Sequence, residues 1–228
     1  MTEIIQHLSK VTMKYLILII STLIFSGCAS NPPQKTHNNI CHIYEYDNDW
    51  EDAAKDSASI WGTPEYILMA FIHQESRFKH DAQPPREYSL GFIPLPRRSS
   101  AYGYPQAQDP VWLDYKRAIK NRSVRRTNIK DALDFIGWYN YQTNKRNKIA
   151  FNDTYNLYLA YHEGNGGYSR KTYLKKPWLI KVAKKVQRRA NLYKKQLKNC
   201  SKFQSYKEIE KRGNRKKNTS CNASWPYC

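Results

Sequence analysis

The hydrophobic positions of this chain follow a helical period over most of its length. Ile67, Phe71 and Glu75 are spaced by four, which places two apolar side chains and a carboxylate on one face of a predicted helix. Residues 63–65 (TPE) are typical of a helix start, with Thr as N-cap, Pro at the first position and an acid in the first turn. No stretch shows convincing period-two alternation, so the predicted fold class is all-α.

Further helix starts and ends are marked by turn and cap residues. The marks are Asp109-Pro110 as a start, a stripe over residues 129–136, Asp153 as a cap, Gly164 as an end, and Pro177 before a last basic helix. Residues 79–108 are rich in Pro, Arg, Ser and Tyr, which predicts a long irregular loop. Loops of this length in compact domains are usually functional or disordered.

The N-terminus carries a continuous, mostly apolar run at residues 15–25 (YLILIISTLIF). This run is too short to span roughly 30 Å of hydrocarbon, and it predicts the core of a secretory signal peptide. Cys28 follows Ser-Gly directly, as in the lipobox of bacterial lipoproteins, although Phe25 stands where Leu is commonest. A plain signal peptide or a short anchor is the alternative, and Met13 is an alternative start.

The charge balance indicates an anionic partner. The chain has 38 Lys+Arg against 19 Asp+Glu, a formal net charge of +19. An exported chain does not meet cytoplasmic DNA or RNA, so nucleic acid is not expected as a partner. Ala29 stands where an Asp usually retains lipoproteins in the inner membrane. We therefore expect a lipid-anchored protein on the periplasmic side of the outer membrane of a Gram-negative bacterium.

The cysteines that remain after Cys28 are even in number, which suits disulfides in an oxidising compartment. They are Cys41, Cys200, Cys221 and Cys228. The favoured pairing joins Cys41 to Cys200 and Cys221 to Cys228, with free thiols and other pairings as alternatives. No CxxC or HxxxH pairing stands near them, so a zinc site is not expected.

Glu75 is the strongest candidate for chemistry. The apolar stripe runs directly into its carboxylate near the C-terminal end of the predicted helix. Desolvation and the negative end of the helix dipole both disfavour the ionised form, so both raise the pKa of Glu75. A general acid needs such a pKa at neutral pH. The alternative is a carboxylate that points to solvent as the helix ends.

Three segments in order carry a resemblance to a known family. Residues 75–78 (ESRF) resemble an E-S-x-F signature, residues 101–106 (AYGYPQ) resemble A-x-G-L-M-Q, and residues 160–164 (AYHEG) resemble A-Y-N-A-G. These are the motifs of the lysozyme-like soluble lytic transglycosylase (SLT) superfamily, here in the form of a divergent lipoprotein branch. The resemblance implies a lysozyme-like helical domain with a long irregular active-site loop.

The resemblance also implies the site. Glu75 is the catalytic residue, Tyr161 holds it through its hydroxyl, and Gly103 allows close backbone approach. The expected substrate-binding residues are Ser76, Gly103, Tyr104, Gln106, Tyr161, His162 and Glu163. The chain departs from the family pattern at Tyr104-Pro105 and at His162-Glu163. A zinc-protease HExxH motif is excluded, because Gly166 stands where the second His belongs.

The expected activity is that of a murein lytic transglycosylase, which cleaves the β-1,4 MurNAc–GlcNAc bond and closes a 1,6-anhydro ring. One Glu acts as acid and base, with no metal or organic cofactor. The alternatives are a hydrolytic muramidase, in which Glu75 works with Asp109 or Glu163, and a non-catalytic murein-binding lipoprotein. Expected partners are peptidoglycan strands and a membrane, through the lipid, with the protein as a monomer.

The expected domain organisation follows from these signals. Residues 1–27 form the signal peptide, and residues 28–40 the lipidated Cys28 and a polar tether. Residues 41–200 form the catalytic domain. Residues 201–228 form a basic tail closed by a small Cys loop.

Overall fold

The structure is a computed structural model that describes residues 31–200. The predicted signal peptide, the lipidated Cys28, the basic tail and the Cys221–Cys228 loop lie outside the described residues. Within residues 31–200, no helix combines the length and apolar character needed to cross a membrane.

The described part of the chain is built almost wholly from helices, which confirms the predicted all-α class. Seven α-helices follow one another along residues 31–200: α1 Ile40–Tyr46, α2 Asn48–Trp61, α3 Glu65–Ser76, α4 Asp109–Ala118, α5 Ile129–Asn147, α6 Thr154–Ser169 and α7 Pro177–Leu197. Short 3-10 helices occur at Gln34–Thr36 and Thr172–Lys175.

Helix α3 is the centre of the core. Every residue from Ile67 to His73 is buried, so the helix is covered on all sides. Helices α2, α5 and α7 pack against it, and α6 packs between α5 and α7. The described residues therefore share one hydrophobic core. A chain that begins at residue 29 retains all of that core.

Two helices begin one residue away from their predicted starts. Pro64 has ψ 142°, outside the helical range, so α3 begins at Glu65 and Thr63 is not its N-cap. The Thr63 hydroxyl is buried without a hydrogen-bond partner among the described residues. Helix α4 has Gln108 at its N-cap, and Asp109 lies in the first turn.

Gly164 interrupts α6 instead of ending it. Its φ of 73° and ψ of 153° lie outside the helical range, and the helix resumes and continues to Ser169. A glycine accepts such a φ without the steric cost that a side chain would add. The bend separates the part of α6 that carries Tyr161 from the part that leads to Thr172–Lys175.

The predicted long loop is present but contains a small hairpin that the sequence did not predict. Strand β1 (Tyr88–Ser89) pairs antiparallel with β2 (Ile93–Pro94). The strands are two residues long and both are exposed, so no alternation of buried and exposed positions marks them.

The segment before α1 is not a free tether from Asn31 onward. His37 is buried, its ring contacts Phe78 with centroids 4.8 Å apart, and its carbonyl accepts a 2.6 Å bond from the Tyr193 hydroxyl. The predicted pairing of Cys41 with Cys200 is present and fastens α1 to the end of α7. The sequence suggested a tether because the segment is polar, but its contacts come from a few side chains and backbone carbonyls.

Candidate active site

The ESRF segment shapes the end of α3. Arg77 and Phe78 both take left-handed conformations, with φ of 52° and 62°, and thereby stop the helix. Phe78 turns back into the core, where its ring contacts Trp50 and His37 with centroids 5.6 and 4.8 Å apart. The turn fixes Glu75 in the last turn of a rigid, fully packed helix.

One oxygen of the Glu75 carboxyl group is shielded from water, although the residue as a whole is half-buried. Its Oε1 atom is buried and has no hydrogen-bond partner among residues 31–200. Burial raises the pKa of Glu75 to about 7, and a hydrogen bond from the Tyr158 hydroxyl partly offsets that rise. The group therefore retains its proton over much of the range near neutral pH, as a general acid requires.

Glu75 lies at an open cleft of about 480 Å³. The cleft is lined by the end of α3, the end of the long loop, one face of α5 and the middle of α6. The lining residues are Glu75, Ser99, Ala101, Gln106, Ala107, Gln108, Val111, Phe135, Tyr139, Tyr161, His162, Glu163 and Gly164. All three resembling segments thus contribute to one site.

The AYGYPQ segment builds one wall of the cleft. A Cβ on Gly103 would lie 2.3 Å from the Arg126 carbonyl oxygen, so the close approach needs a glycine. The Gln106 amide nitrogen donates to the carbonyls of Gly103 and Ala82, both at 2.8 Å. These bonds fix the loop and hold Gln106 in the cleft wall.

Tyr161 does not hold Glu75 through its hydroxyl, which corrects the role expected from the resemblance. The Tyr161 hydroxyl donates to the Pro105 carbonyl at 2.6 Å and so ties α6 to the AYGYPQ segment. Tyr158, one turn earlier on α6, is the tyrosine whose hydroxyl lowers the pKa of Glu75. Both tyrosine rings pack edge-on against Phe71, at 5.2 Å for Tyr158 and 5.4 Å for Tyr161.

Sequence reasoning missed Tyr158. Tyr158 and Tyr161 are three residues apart on α6, so both side chains lie on the same side of the helix. The motif names the second of them, and the spacing gives no way to tell which hydroxyl reaches the acid. Burial and the nearby Glu75 raise the pKa of Tyr158 far above its ordinary value, so it remains a donor.

Two of the expected substrate-binding residues lie in the core instead of the cleft. Ser76 is buried and its hydroxyl donates to the Ile72 carbonyl one turn back, at 3.2 Å. Tyr104 is 3% exposed and its ring packs against Trp50 with centroids 5.5 Å apart. Both residues support the walls of the site, and neither is among the residues that line the cleft.

Glu163 lies in the cleft wall but is fully engaged. Its side chain is 3% exposed, and its oxygens accept from Lys176 at 2.7 Å, from the Thr172 hydroxyl and from His162 at 3.4 Å. Burial alone would raise the pKa of Glu163, but these three hydrogen bonds outweigh it and hold the pKa below its ordinary value. This carboxylate is ionised and links α6 to the start of α7.

His162 faces the cleft beside an exposed tryptophan. Its ring meets that of Trp178 edge-to-face with centroids 5.1 Å apart, and Trp178 is 53% exposed. The pair stands at the end of the cleft that lies toward α7.

Asp109, the other candidate for a second carboxylate, is turned away from the cleft lining. Its side chain is 66% exposed and pairs with Arg126 at 2.7 Å. Arg126 also donates to the carbonyls of Ala107 and Ser100. Asp109 thus belongs to a network that fixes the loop end.

No group of three or more His, Cys, Asp or Glu side chains in residues 31–200 is arranged to hold a metal ion.

The fold and the site together define a class of protein. They combine an all-α domain with an open cleft lined by aromatic side chains, and the cleft wall holds a carboxyl group whose pKa is raised to about 7. A family model described as "Transglycosylase SLT domain" matches residues 16–200. The chain belongs to the transglycosylase SLT domain family. Comparison with curated proteins and with solved structures gave no match.

Membership of this family sets the general activity. The family function is that of lytic transglycosylases, so the protein is a peptidoglycan-degrading enzyme that binds peptidoglycan as its substrate.

Proposed function

We propose that the protein cleaves the β-1,4 bond between N-acetylmuramic acid and N-acetylglucosamine, with Glu75 as the single acid and base. The observation that carries the proposal is the Glu75 carboxyl group, which lines the cleft. Its Oε1 atom is buried and unpartnered among the described residues, and its pKa is raised to about 7.

The reaction proceeds through two proton transfers at that one group. Glu75 gives its proton to the glycosidic oxygen as the bond to C1 of the muramic acid breaks, and the N-acetylglucosamine part leaves with a hydroxyl. The Glu75 carboxylate then takes the proton of the C6 hydroxyl of the same muramic acid, whose oxygen closes on C1. No water is consumed, and the product carries a 1,6-anhydro ring. Glu75 ends the cycle protonated, as it began.

The state of the other candidate carboxylates supports this single-acid scheme. A hydrolytic muramidase of the usual kind needs a second carboxylate as nucleophile or as base for water. Glu163 accepts three hydrogen bonds, and Asp109 is paired with Arg126 outside the cleft lining. Neither group is free to take that part without losing its partners.

The test is the chemistry of the product. Purified sacculi are incubated with the protein, and the released fragments are examined by mass spectrometry. Fragments with anhydro ends are expected, because ring closure adds no water to the product. Reducing ends, which are 18 Da heavier because water has been added, would show hydrolysis instead. A folded protein that releases nothing would support the non-catalytic, murein-binding alternative.

The membrane attachment rests on the sequence. We propose that Cys28 is the lipidated first residue of the mature chain, on the periplasmic side of the outer membrane. The apolar run at residues 15–25, the Ser-Gly before Cys28 and Ala29 after it support this placement. Metabolic labelling with a fatty-acid probe tests it: label on the wild type and none on Cys28→Ser is expected. Fractionation into the inner membrane would overturn the location.

A further inference from the structure

The β1–β2 hairpin exposes a concentration of apolar side chains that nothing in the proposed reaction uses. We call residues 88–95 the hairpin tip. Its exposed apolar residues are Tyr88 at 56%, Leu90 at 80%, Phe92 at 72%, Ile93 at 45% and Leu95 at 39% of their full surface. Apolar side chains gathered in one exposed patch mark an interaction surface more often than scattered ones do.

The hairpin tip is held by its own backbone. The Leu95 amide donates to the Glu87 carbonyl at 2.8 Å, and the Phe92 amide donates to the Ser89 carbonyl at 3.3 Å. A two-stranded hairpin without a packed face gains little stability by itself. Its apolar side chains are thus not explained by the folding of the described domain.

Positive charge surrounds the base of the hairpin tip. Arg86 and Arg98 are exposed, and Arg97 donates to the Pro84 carbonyl where the two arms of the hairpin meet. Glu87 is the acid within residues 84–98, and it pairs with Arg98 at 2.7 Å. An apolar tip with guanidinium groups at its base matches the layers of an anionic bilayer, in which acyl chains lie beneath phosphate headgroups.

The start of the same loop is fastened to the segment that comes from the proposed anchor. The Asn31 side-chain oxygen accepts a 3.1 Å bond from the His80 backbone amide and lies 3.1 Å from the His80 ring nitrogen Nδ1. Cys28 stands three residues before Asn31 in the sequence, and His80 stands eight residues before Tyr88. An attachment at Cys28 therefore holds the base of the loop near the bilayer surface.

We propose that the hairpin tip inserts into the headgroup region of an anionic lipid bilayer as a second membrane contact of this protein. The inference rests on the proposed membrane attachment but not on the proposed reaction. Because Ser99 and Ala101 of the same loop line the cleft, the membrane contact is joined through a short length of chain to the cleft wall. A second contact restricts the rotation of the domain about its anchor.

The test measures the hairpin without the anchor. The chain from residue 29, which retains the whole core, is sedimented with vesicles of phosphatidylcholine alone or mixed with phosphatidylglycerol. The hairpin variant is Leu90→Asp with Phe92→Asp. The matched control is Ile60→Asp with Leu174→Asp, which are 65% and 59% exposed on other parts of the domain. Circular dichroism checks that both variants remain folded.

The expected result is binding to the anionic vesicles that the hairpin variant loses by about ten-fold or more and the control retains, since apolar burial and charge both drive interfacial binding. Raised salt and neutral vesicles should weaken the binding. Equal binding by the hairpin variant and the control would overturn the inference. Binding of the tip to purified sacculi instead of vesicles would overturn it as well.

The outcomes also separate this inference from the proposals on which it depends. If Cys28 carries the lipid label and the hairpin variant loses no vesicle binding, the attachment stands and the second membrane contact is refuted. If the hairpin variant loses vesicle binding and Cys28 carries no lipid, the hairpin remains a membrane contact and the proposed attachment at Cys28 is removed. Murein cleavage by the hairpin variant should stay at the wild-type level in either case.

Discussion

Two glutamates line the same cleft in opposite electrostatic states. Glu75, at the end of α3, has its Oε1 atom buried without a partner among the described residues, and its pKa is raised to about 7. Glu163, on α6, is also shielded, yet hydrogen bonds from Lys176, Thr172 and His162 hold its pKa below the ordinary value. Both residues are glutamates, and both are partly shielded from solvent.

The difference lies in what accompanies burial. A carboxyl group in the protein interior with a neutral hydroxyl as its donor keeps its proton, whereas one with a cation and two further partners loses it. The first can give a proton to a substrate. The second stabilises the contact between two helices. Pairs of acids with divergent pKa values commonly reveal which one does the chemistry.

The largest expected effect is on catalysis by Glu75→Gln. The amide keeps nearly the same volume but can neither donate the proton to the glycosidic oxygen nor take one from C6. Release of soluble fragments from sacculi should fall by about 10²–10⁴-fold, the usual worth of general acid–base catalysis. Thermal unfolding should show a folded protein. Near-normal cleavage by the folded variant would refute the assignment of the active site.

The same substitution should change the pH dependence of stability. The folded-state pKa of Glu75 is about 7 against an ordinary 4.5, so its ionisation destabilises the fold as the pH rises through that range. Glu75→Gln removes this cost. Its free energy of unfolding, relative to wild type, should increase between pH 4.5 and pH 8 by an amount on the order of 3 kcal/mol. A constant difference in denaturant melts across that range would contradict the raised pKa.

The sequence predicts the features of this fold and site that leave a local pattern, and it misses those that depend on contacts between distant residues. The helical period gave the all-α class, and the apolar stripe ending at Glu75 gave the acid and the direction of its pKa shift. The sequence could not show that Glu163 is engaged, because Thr172 and Lys176 meet it through the bend at Gly164. The hairpin has strands too short to leave a pattern, and the packing of residues 31–40 depends on long-range contacts such as that of Tyr193 with His37.

A smaller effect, of opposite sign, is expected from Glu163→Gln. The pKa of Glu163 is lowered in the folded state, so its contribution to stability is present above pH 4.5 and is lost as the pH falls through the folded-state value. At pH 7 the variant should lose about 1–2 kcal/mol, since Lys176 is 41% exposed and solvent weakens the pair. Denaturant melts at pH 7 and pH 3 would show the difference shrinking.

The controls for that prediction are Lys176→Met and the double variant, whose double-mutant cycle isolates the pair. Murein cleavage by Glu163→Gln should fall by less than about ten-fold, and Asp109→Asn should behave alike. If either substitution were as damaging as Glu75→Gln, and the products carried reducing ends, the hydrolytic scheme would replace the single-acid one.

The smallest effect is expected from the tyrosine that contacts the acid. The Tyr158 hydroxyl stabilises the ionised form of Glu75, so Tyr158→Phe should raise the pKa of Glu75 further. The alkaline limb of the pH–activity profile should move upward by about one unit, the worth of one hydrogen bond to a charged group. Tyr161→Phe, which removes a bond to Pro105, is the matched control and should leave the limb in place. If Tyr161→Phe moved the alkaline limb and Tyr158→Phe did not, Tyr161 would be the residue that supports Glu75.

The central claim is that one of the two cleft glutamates holds its proton near neutral pH and the other does not. A carboxyl ¹³C NMR titration of protein labelled at glutamate measures this directly, with Glu75→Gln and Glu163→Gln assigning the two resonances. The account predicts a midpoint near pH 7 for Glu75 and one below 4.5 for Glu163. A Glu75 midpoint at or below 4.5, or a Glu163 midpoint above that of Glu75, would contradict it.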